Sequence, residues 1–244
     1  MGGHKGGSIA SPNIFCDSFM NTLTESQPAI VDLRGVSFRY SQGEGLHEID
    51  FRVFKGELVA IEGPTGAGKT TLLHLLSGVL SPQSGHGQVV GVFLGNEKAA
   101  SLSGLRRQLG LVFQEEHFLE RESVLANVAA PLAIDGKPLG EQKARAMKML
   151  VEVGLARSAR RRPAQLSGGE KARLQIARAL VREPMLLIAD EPFAHLDSVS
   201  ASEVASLILR AHQRGATILV MTNRQDSWPY EARKLTLEGG RLRE

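Results

Sequence analysis

The octapeptide Gly63-Pro64-Thr65-Gly66-Ala67-Gly68-Lys69-Thr70 constrains this chain more than any other feature. The wholly apolar run Leu58-Val59-Ala60-Ile61 precedes it, and a leucine-rich stretch from Thr70 to Leu80 follows. Strand, glycine-rich turn and helix in that order, with G-x-x-x-x-G-K-[ST] at the turn, make a phosphate-binding P-loop. The glycines let the backbone curl so that successive N–H groups face phosphate oxygens. The helix N-terminus adds its dipole, and Lys69 supplies a point charge for β- and γ-phosphates. The Thr70 hydroxyl is of the right type to ligate magnesium, and Thr71, next along, joins the candidate nucleotide contacts.

A strand of this apolar kind belongs in a sheet covered on both faces. Leu109–Phe113, Met185–Ala189 and Thr217–Met221 are similar runs, separated by helical stretches. Buried strands alternating with helices predict a parallel sheet in an α/β fold. Ahead of the loop, Val31, Leu33, Val36, Phe38 and Tyr40, then Ile49, Phe51 and Val53, alternate with polar residues and predict an antiparallel flap. Three helices are marked. The first is Thr70–Leu80, which stops before Ser81-Pro82. The second is Glu141–Val153, with Ala144, Met147, Leu150 and Val151 on its apolar period and Gly154 at its end. The third starts at Ser167, where Glu170 completes a capping box and Leu174, Ala177 and Val181 mark the buried stripe. Residues 115–165 carry helices and loops without a buried strand, and predict a helical subdomain inserted into the core. Residues 1–28 open with Gly2, Gly3, Gly6 and Gly7 and are rich in Ser, Asn and Thr, which predicts a disordered tail and a folded domain over 29–244.

Composition removes several classes. With 42% hydrophobic and 23% charged residues, global disorder is excluded. A single cysteine, Cys16, rules out an internal disulfide framework and cysteine zinc sites, and suits a reducing, cytoplasmic setting. No apolar run approaches the roughly 18 residues of a spanning helix, so a membrane role is expected through a partner. Twenty-nine basic against 26 acidic residues give a net charge of only +3, which reads as an ordinary solvated surface or, alternatively, as a weak attraction to anionic lipid or nucleic acid; no nucleic-acid partner is expected. The four arginines between Arg157 and Arg162 read either as a solvated loop or as a contact for lipid headgroups or an acidic partner.

Leu186-Leu187-Ile188-Ala189 runs into Asp190-Glu191. Such a strand delivers two carboxylates to the edge of the sheet where open α/β folds bind ligands. Asp190 can hold magnesium, directly or through water, which leaves Glu191 to act as general base on the attacking water.

Leu166-Ser167-Gly168-Gly169-Glu170 resembles the signature sequence of ATP-binding cassette (ABC) ATPases. By itself it is a capped helix start with an exposed anion site. The resemblance extends over about residues 30–244, with its motifs in family order. It implies a P-loop NTPase core of RecA type with an antiparallel flap and an inserted helical subdomain, and ATP with Mg²⁺ as ligands. It further implies an ATP-dependent head-to-tail homodimer, in which Ser167, Gly168, Gly169 and Glu170 of one copy close on the γ-phosphate held by the other. Tyr40 stands where the family stacks an aromatic ring on adenine. Gln114 matches the glutamine that approaches magnesium and the nucleophile, and Leu196-Asp197 resembles the loop that crosses the dimer interface. One position departs. Where the family has Thr-His after the last buried strand, this chain has Thr222-Asn223. Asn223 offers an amide donor with shorter reach and no titratable proton, which predicts slow hydrolysis with binding and closure retained. His195 is expected in a loop near the dimer interface.

Leu105–Gln114 and Asn127–Leu132 look most like ATPases of the FtsE type, whose membrane partner FtsX acts in bacterial cell division; the LolD and MacB types share much of the pattern. That likeness implies a separate integral membrane subunit, FtsX-like or a permease, docked at residues 114–128, with the ATPase peripheral on the inner face of the membrane. Phe113, Phe118 and Leu119 are candidates for that contact, or for packing inside the subdomain. A slow ATP-gated scaffold is the alternative reading. Cassette ATPases of DNA repair or translation usually carry tandem cassettes or long coiled-coil insertions, and P-loop kinases lack the signature segment.

Overall fold

Two sheets share the work of positioning the P-loop. In the computed structural model the described residues are Met1, 29–95, 99–223 and 228–243. The expected tail, Met1 apart, lies outside them. Strands β1 (Ala29–Arg39), β2 (Gly45–Phe54), β4 (Ser84–Val89) and β5 (Val92–Leu94) form an antiparallel sheet in the order β2-β1-β4-β5. Strands β3 (Leu58–Glu62), β6 (Leu109–Val112), β7 (Leu186–Asp190), β8 (Thr217–Thr222), β9 (Arg233–Glu238) and β10 (Arg241–Arg243) form the second, in the order β10-β9-β3-β8-β7-β6. Its strands are parallel except for the β9–β10 hairpin.

Alternation along the parallel strands divides the core. Leu58 and Ala60, Leu187 and Ala189, and Ile218 and Val220 face one cluster, packed by α3 (Val124–Ile134), α4 (Leu139–Glu152), α5 (Gly168–Leu180) and α6 (Ser198–Gln213). Val59 and Ile61, Leu186 and Ile188, and Leu219 and Met221 face the other, packed by α1 (Lys69–Leu76), the antiparallel sheet and Leu105 of α2 (Ala99–Gln108). Burial on both faces explains why these strands are apolar at every position.

Two helix expectations need correction. The first helix stops at Leu76 rather than Leu80. Gly78 takes a left-handed φ of +63°, the Val79 N–H turns back to the His74 carbonyl, and Val79 is left 56% exposed. The buried face of α4 also differs from the one expected. Its buried face is Ala146, Met149 and Leu150, whereas Ala144, Met147 and Val151 are exposed. Two overlapping apolar periods run along this helix, and contact with α3 and α5 selects between them.

The connection between β6 and α3 is tied down by one amide. Asn127 is fully buried; its Oδ1 accepts from the Leu119 N–H at 2.8 Å, and its Nδ2 donates to the Leu119 carbonyl at 3.1 Å and the Ser123 carbonyl at 3.0 Å. Asn127→Ala removes the three hydrogen bonds that tie Leu119 and Ser123 to this buried position and is expected to cost about 2–3 kcal/mol, read as a lowered midpoint in chemical denaturation.

Candidate active site

Three strand ends build the site. β3 pairs Glu62 with Thr222 of β8, and β7 pairs Asp190 with Met221. The ladder then continues past the strands: the Gly63 N–H donates to the Thr222 carbonyl at 3.1 Å, and the Glu191 N–H to the Met221 carbonyl at 2.9 Å. The start of the P-loop, the carboxylate pair and Asn223 therefore stand abreast at one edge of the sheet.

Sterics fix the loop. A Cβ at Gly63 would lie 2.1 Å from the Leu237 carbonyl oxygen, and Gly68, which N-caps α1, has φ +108°. Lys69 curls back: Nζ donates to the carbonyls of Gly63 at 2.7 Å and Pro64 at 2.9 Å, and lies 3.2 Å from Glu191 Oε1. Both side chains of this ion pair are under 10% exposed. The other Glu191 oxygen accepts the Asn223 backbone N–H at 3.1 Å. Glu191 itself sits at φ +48°, a left-handed conformation worth about 1–3 kcal/mol of strain that persists only where neighbours over-determine it. Sequence reading gave no signal for that strain, nor for the main-chain contact from Asn223.

Asp190 is buried and only half satisfied. Its Oδ2 accepts from the Thr70 hydroxyl at 2.5 Å, while Oδ1 has no hydrogen-bond partner. Burial pushes its pKa up, and the neighbouring Glu191 charge adds to this; the Thr70 hydrogen bond, Lys69 and His74 act in the opposite direction. An unpartnered buried carboxylate oxygen beside a hydroxyl is a fitting seat for a hard cation. Among the described residues no three His, Cys, Asp or Glu side chains come together to hold a metal. A cation here would take the rest of its shell from phosphate and water, as Mg²⁺ characteristically does.

These groups open into a cleft of about 170 Å³. Thr65, Gly66, Gly68, Lys69, Thr70 and Thr71 line it from the loop, and Gln114, Asp190, Glu191 and Asn223 from the strand ends. Gly63, Pro64 and Ala67 are absent from its lining, the first two serving as acceptors for Lys69. Tyr40, 40% exposed and edge-on to Phe38 at 4.9 Å, also lines it. Glu44 and Gly45 line it too, carried there by a turn closed from the Tyr40 N–H to the Glu44 carbonyl at 2.8 Å. Their nearness to Tyr40 was the signal available in the sequence. Four larger cavities among the described residues, of about 540, 610, 450 and 280 Å³, contain none of these residues.

Ser167, Gly168, Gly169 and Glu170 are absent from the cleft lining. They form the expected cap of α5: Ser167 Oγ accepts the Glu170 N–H at 3.3 Å, and Glu170 Oε2 accepts the Ser167 N–H at 2.9 Å. Asp197 N-caps α6, accepting from Val199 and Ser200, and His195 adopts φ +62° outside the cleft lining. Phe118 packs under the Arg178 guanidinium at 5.3 Å, Phe113 meets the rings of His74 and His117, and Leu119 is 49% exposed.

The sequence profile of the ABC transporter family matches residues 46–194, more than half of the chain. The chain belongs to this family. It is an ABC ATPase domain with the mixed α/β cassette fold. The chain is 37% identical over 206 residues to the macrolide export ATP-binding/permease protein MacB 1/2 of Paracoccus denitrificans, and 36% identical over 224 residues to MacB 2 of Aeromonas hydrophila. Those alignments cover 82% and 90% of this chain but only 31% and 34% of the relatives, so the chain spans about a third of their length. Among solved structures it is similar to the ATP-binding cassette MJ0796, a dimer in a post-hydrolysis state with ADP and phosphate. There the TM-score is 0.81 at 29% identity, covering 88% of this chain and 97% of that one. It is also similar to CbiO1 of Clostridium perfringens, at TM-score 0.78 and 30% identity over 88% and 86% of the two chains.

The raised Asp190 pKa carries a sign. An acid whose folded pKa lies above its unfolded value destabilises the fold once ionised, and the cost fades as pH falls. Asp190→Asn is therefore expected to raise the melting temperature at neutral pH without ligands, with the gain shrinking on acidification. Added Mg²⁺ with nucleotide should stabilise the parent more than the variant. A variant that melts below the parent at neutral pH would contradict this.

Proposed function

We propose that this chain is the ATP-driven engine of a membrane complex, closing as a head-to-tail homodimer on two Mg-ATP and moving an integral membrane subunit. One observation carries the reading. The cleft holds a P-loop lysine, a base and a cation seat, yet the signature segment of the same chain lies outside it. A second copy, turned head to tail, supplies that segment.

The chemistry follows from the residues at hand. Lys69 leaves Glu191 and the loop carbonyls for the β- and γ-phosphate oxygens. Glu191, freed on that side and still held by the Asn223 N–H, takes a proton from the water that attacks the γ-phosphorus, and ADP leaves. Thr70 and Asp190 would hold the Mg²⁺, with Gln114 at its side; bound there, the ion neutralises charge on the phosphates. Tyr40 offers a face to adenine. Ser167 and the α5 N-terminus, from the partner copy, meet the γ-phosphate.

The membrane partner is of the FtsX or MacB-permease class, seated at residues 114–128. Leu105–Gln114 and Asn127–Leu132 support the FtsX-like, cell-division reading. The 36–37% identity to macrolide export proteins supports an export or lipoprotein-transport reading. Retrieval from solubilised membranes decides between them by the permease that copurifies; if no integral membrane protein is retained, both fall.

Two measurements test the engine itself. Glu191→Gln with Mg-ATP is expected to double the mass seen by light scattering; a persistent monomer refutes the dimer. Asn223→His restores an imidazole donor and is expected to raise steady-state turnover by about 10²-fold, the usual worth of one aimed donor at a transition state. An unchanged rate removes Asn223 as the brake.

A further inference from the structure

The signature tip of this chain carries a carboxylate, Glu170, where an incoming triphosphate would meet it. Glu170 is ionised by preference: the Ser167 N–H chiefly, then the Arg161 charge and the Ser158 hydroxyl, hold its pKa below the usual carboxylate range. An anion beside the site for the partner's γ-phosphate opposes closure unless it is compensated.

The compensation comes from the arginine run. Arg161 Nη1 lies 3.3 Å from Glu170 Oε1 and 3.3 Å from Ser158 Oγ, and Ser158 Oγ donates to the same carboxylate oxygen at 3.2 Å. The remaining oxygen, Oε2, holds the Ser167 N–H. The main chain of this turn is itself anchored, since the N–H groups of Val124 and Leu125 at the start of α3 donate to the carbonyls of Arg161 and Ala159 at 2.8 and 3.0 Å. Arg161 thus reaches Glu170 from a fixed backbone. Among the described residues, Arg157 and Arg160 of the same run have no such partner.

We infer that Arg161 is a positioning residue for ATP-driven closure: it neutralises Glu170 and holds its carboxylate against the Ser167 N–H, so that the tip accepts the partner's triphosphate. This rests on the head-to-tail dimer proposed above and assigns to Arg161 a role that a solvated loop would not have.

A double-mutant cycle in the Glu191→Gln background separates the possibilities, with Mg-ATP-dependent dimerisation followed by light scattering. Arg161→Ala and the bulkier Arg161→Gln are each expected to weaken dimerisation by about three- to tenfold at low salt, since two such contacts are lost per dimer. The defect should shrink in 0.5 M salt, where the Debye length falls to a few ångströms. Adding Glu170→Gln, which keeps an acceptor for the Ser167 N–H but removes the charge, should restore dimerisation to either arginine variant. Melting curves confirm that each variant is folded. Failure of the parent to pair overturns the dimer and this role together. Pairing of the parent with equal pairing of both arginine variants, or a defect that Glu170→Gln leaves in place, overturns this role alone.

Discussion

The register of three parallel strands is the constraint on which the site depends. Glu62 lies beside Thr222 and Asp190 beside Met221, so the P-loop, the carboxylate pair and Asn223 leave the sheet at one level. Two main-chain hydrogen bonds beyond the ladder, from Gly63 and Glu191 to carbonyls of β8, carry that level into the loops. A slip of one residue would turn every side chain of a strand to the other face of the sheet. Because both faces are packed, by different helices on each side, such a slip is strongly opposed. The core thus specifies the site geometry while, of the site's side chains, Ala67 takes part in it.

Within that frame the charged groups compensate one another. Lys69 is spent on Glu191 and two loop carbonyls, Thr70 on Asp190, and the Asn223 N–H on Glu191. Each of these contacts involves an atom that a triphosphate, a cation or a water would claim. The arrangement keeps a buried lysine and two carboxylates tolerable in a cleft with little solvent, and every exchange on ligand binding replaces one charge-assisted contact by another. The bare Asp190 Oδ1 is the exception, and its raised pKa marks where the compensation is incomplete.

Much of this was legible in the sequence because motif residues act through their own backbone. The P-loop, the Asp190-Glu191 strand end and the Ser167–Glu170 cap are local patterns whose geometry follows from a few neighbouring residues. Elements defined by distant partners were less visible. β4 is Ser-Gly-His-Gly-Gln-Val, with no strand alternation to read, and it forms because it pairs with β1 from Val31–Val89 to Ser37–Ser84. The face of α4 was ambiguous because its sequence is apolar on two sides, and only contact with α3 and α5 decides. Asn127 reads as one polar residue in an apolar stretch, yet it holds the loop that carries Phe118 and Leu119. Arg161 was one of four arginines until the fold placed it against Glu170.

The charge of the cleft bears on the proposed head-to-tail dimer. Its ionisable lining among the described residues is Lys69 against Glu44, Asp190 and Glu191, a net negative surface awaiting a polyanion. Side chains alone therefore repel the triphosphate. Attraction has to come from backbone N–H groups of the loop, from the dipole of α1 and from a divalent cation at Asp190. A further source of positive potential is another helix N-terminus, and α5 presents one, outside the cleft of its own chain and with its carboxylate, Glu170, paired with Arg161. The electrostatics of the negatively lined cleft and of this helix tip are complementary, which is the physical argument for the pairing of two copies proposed above.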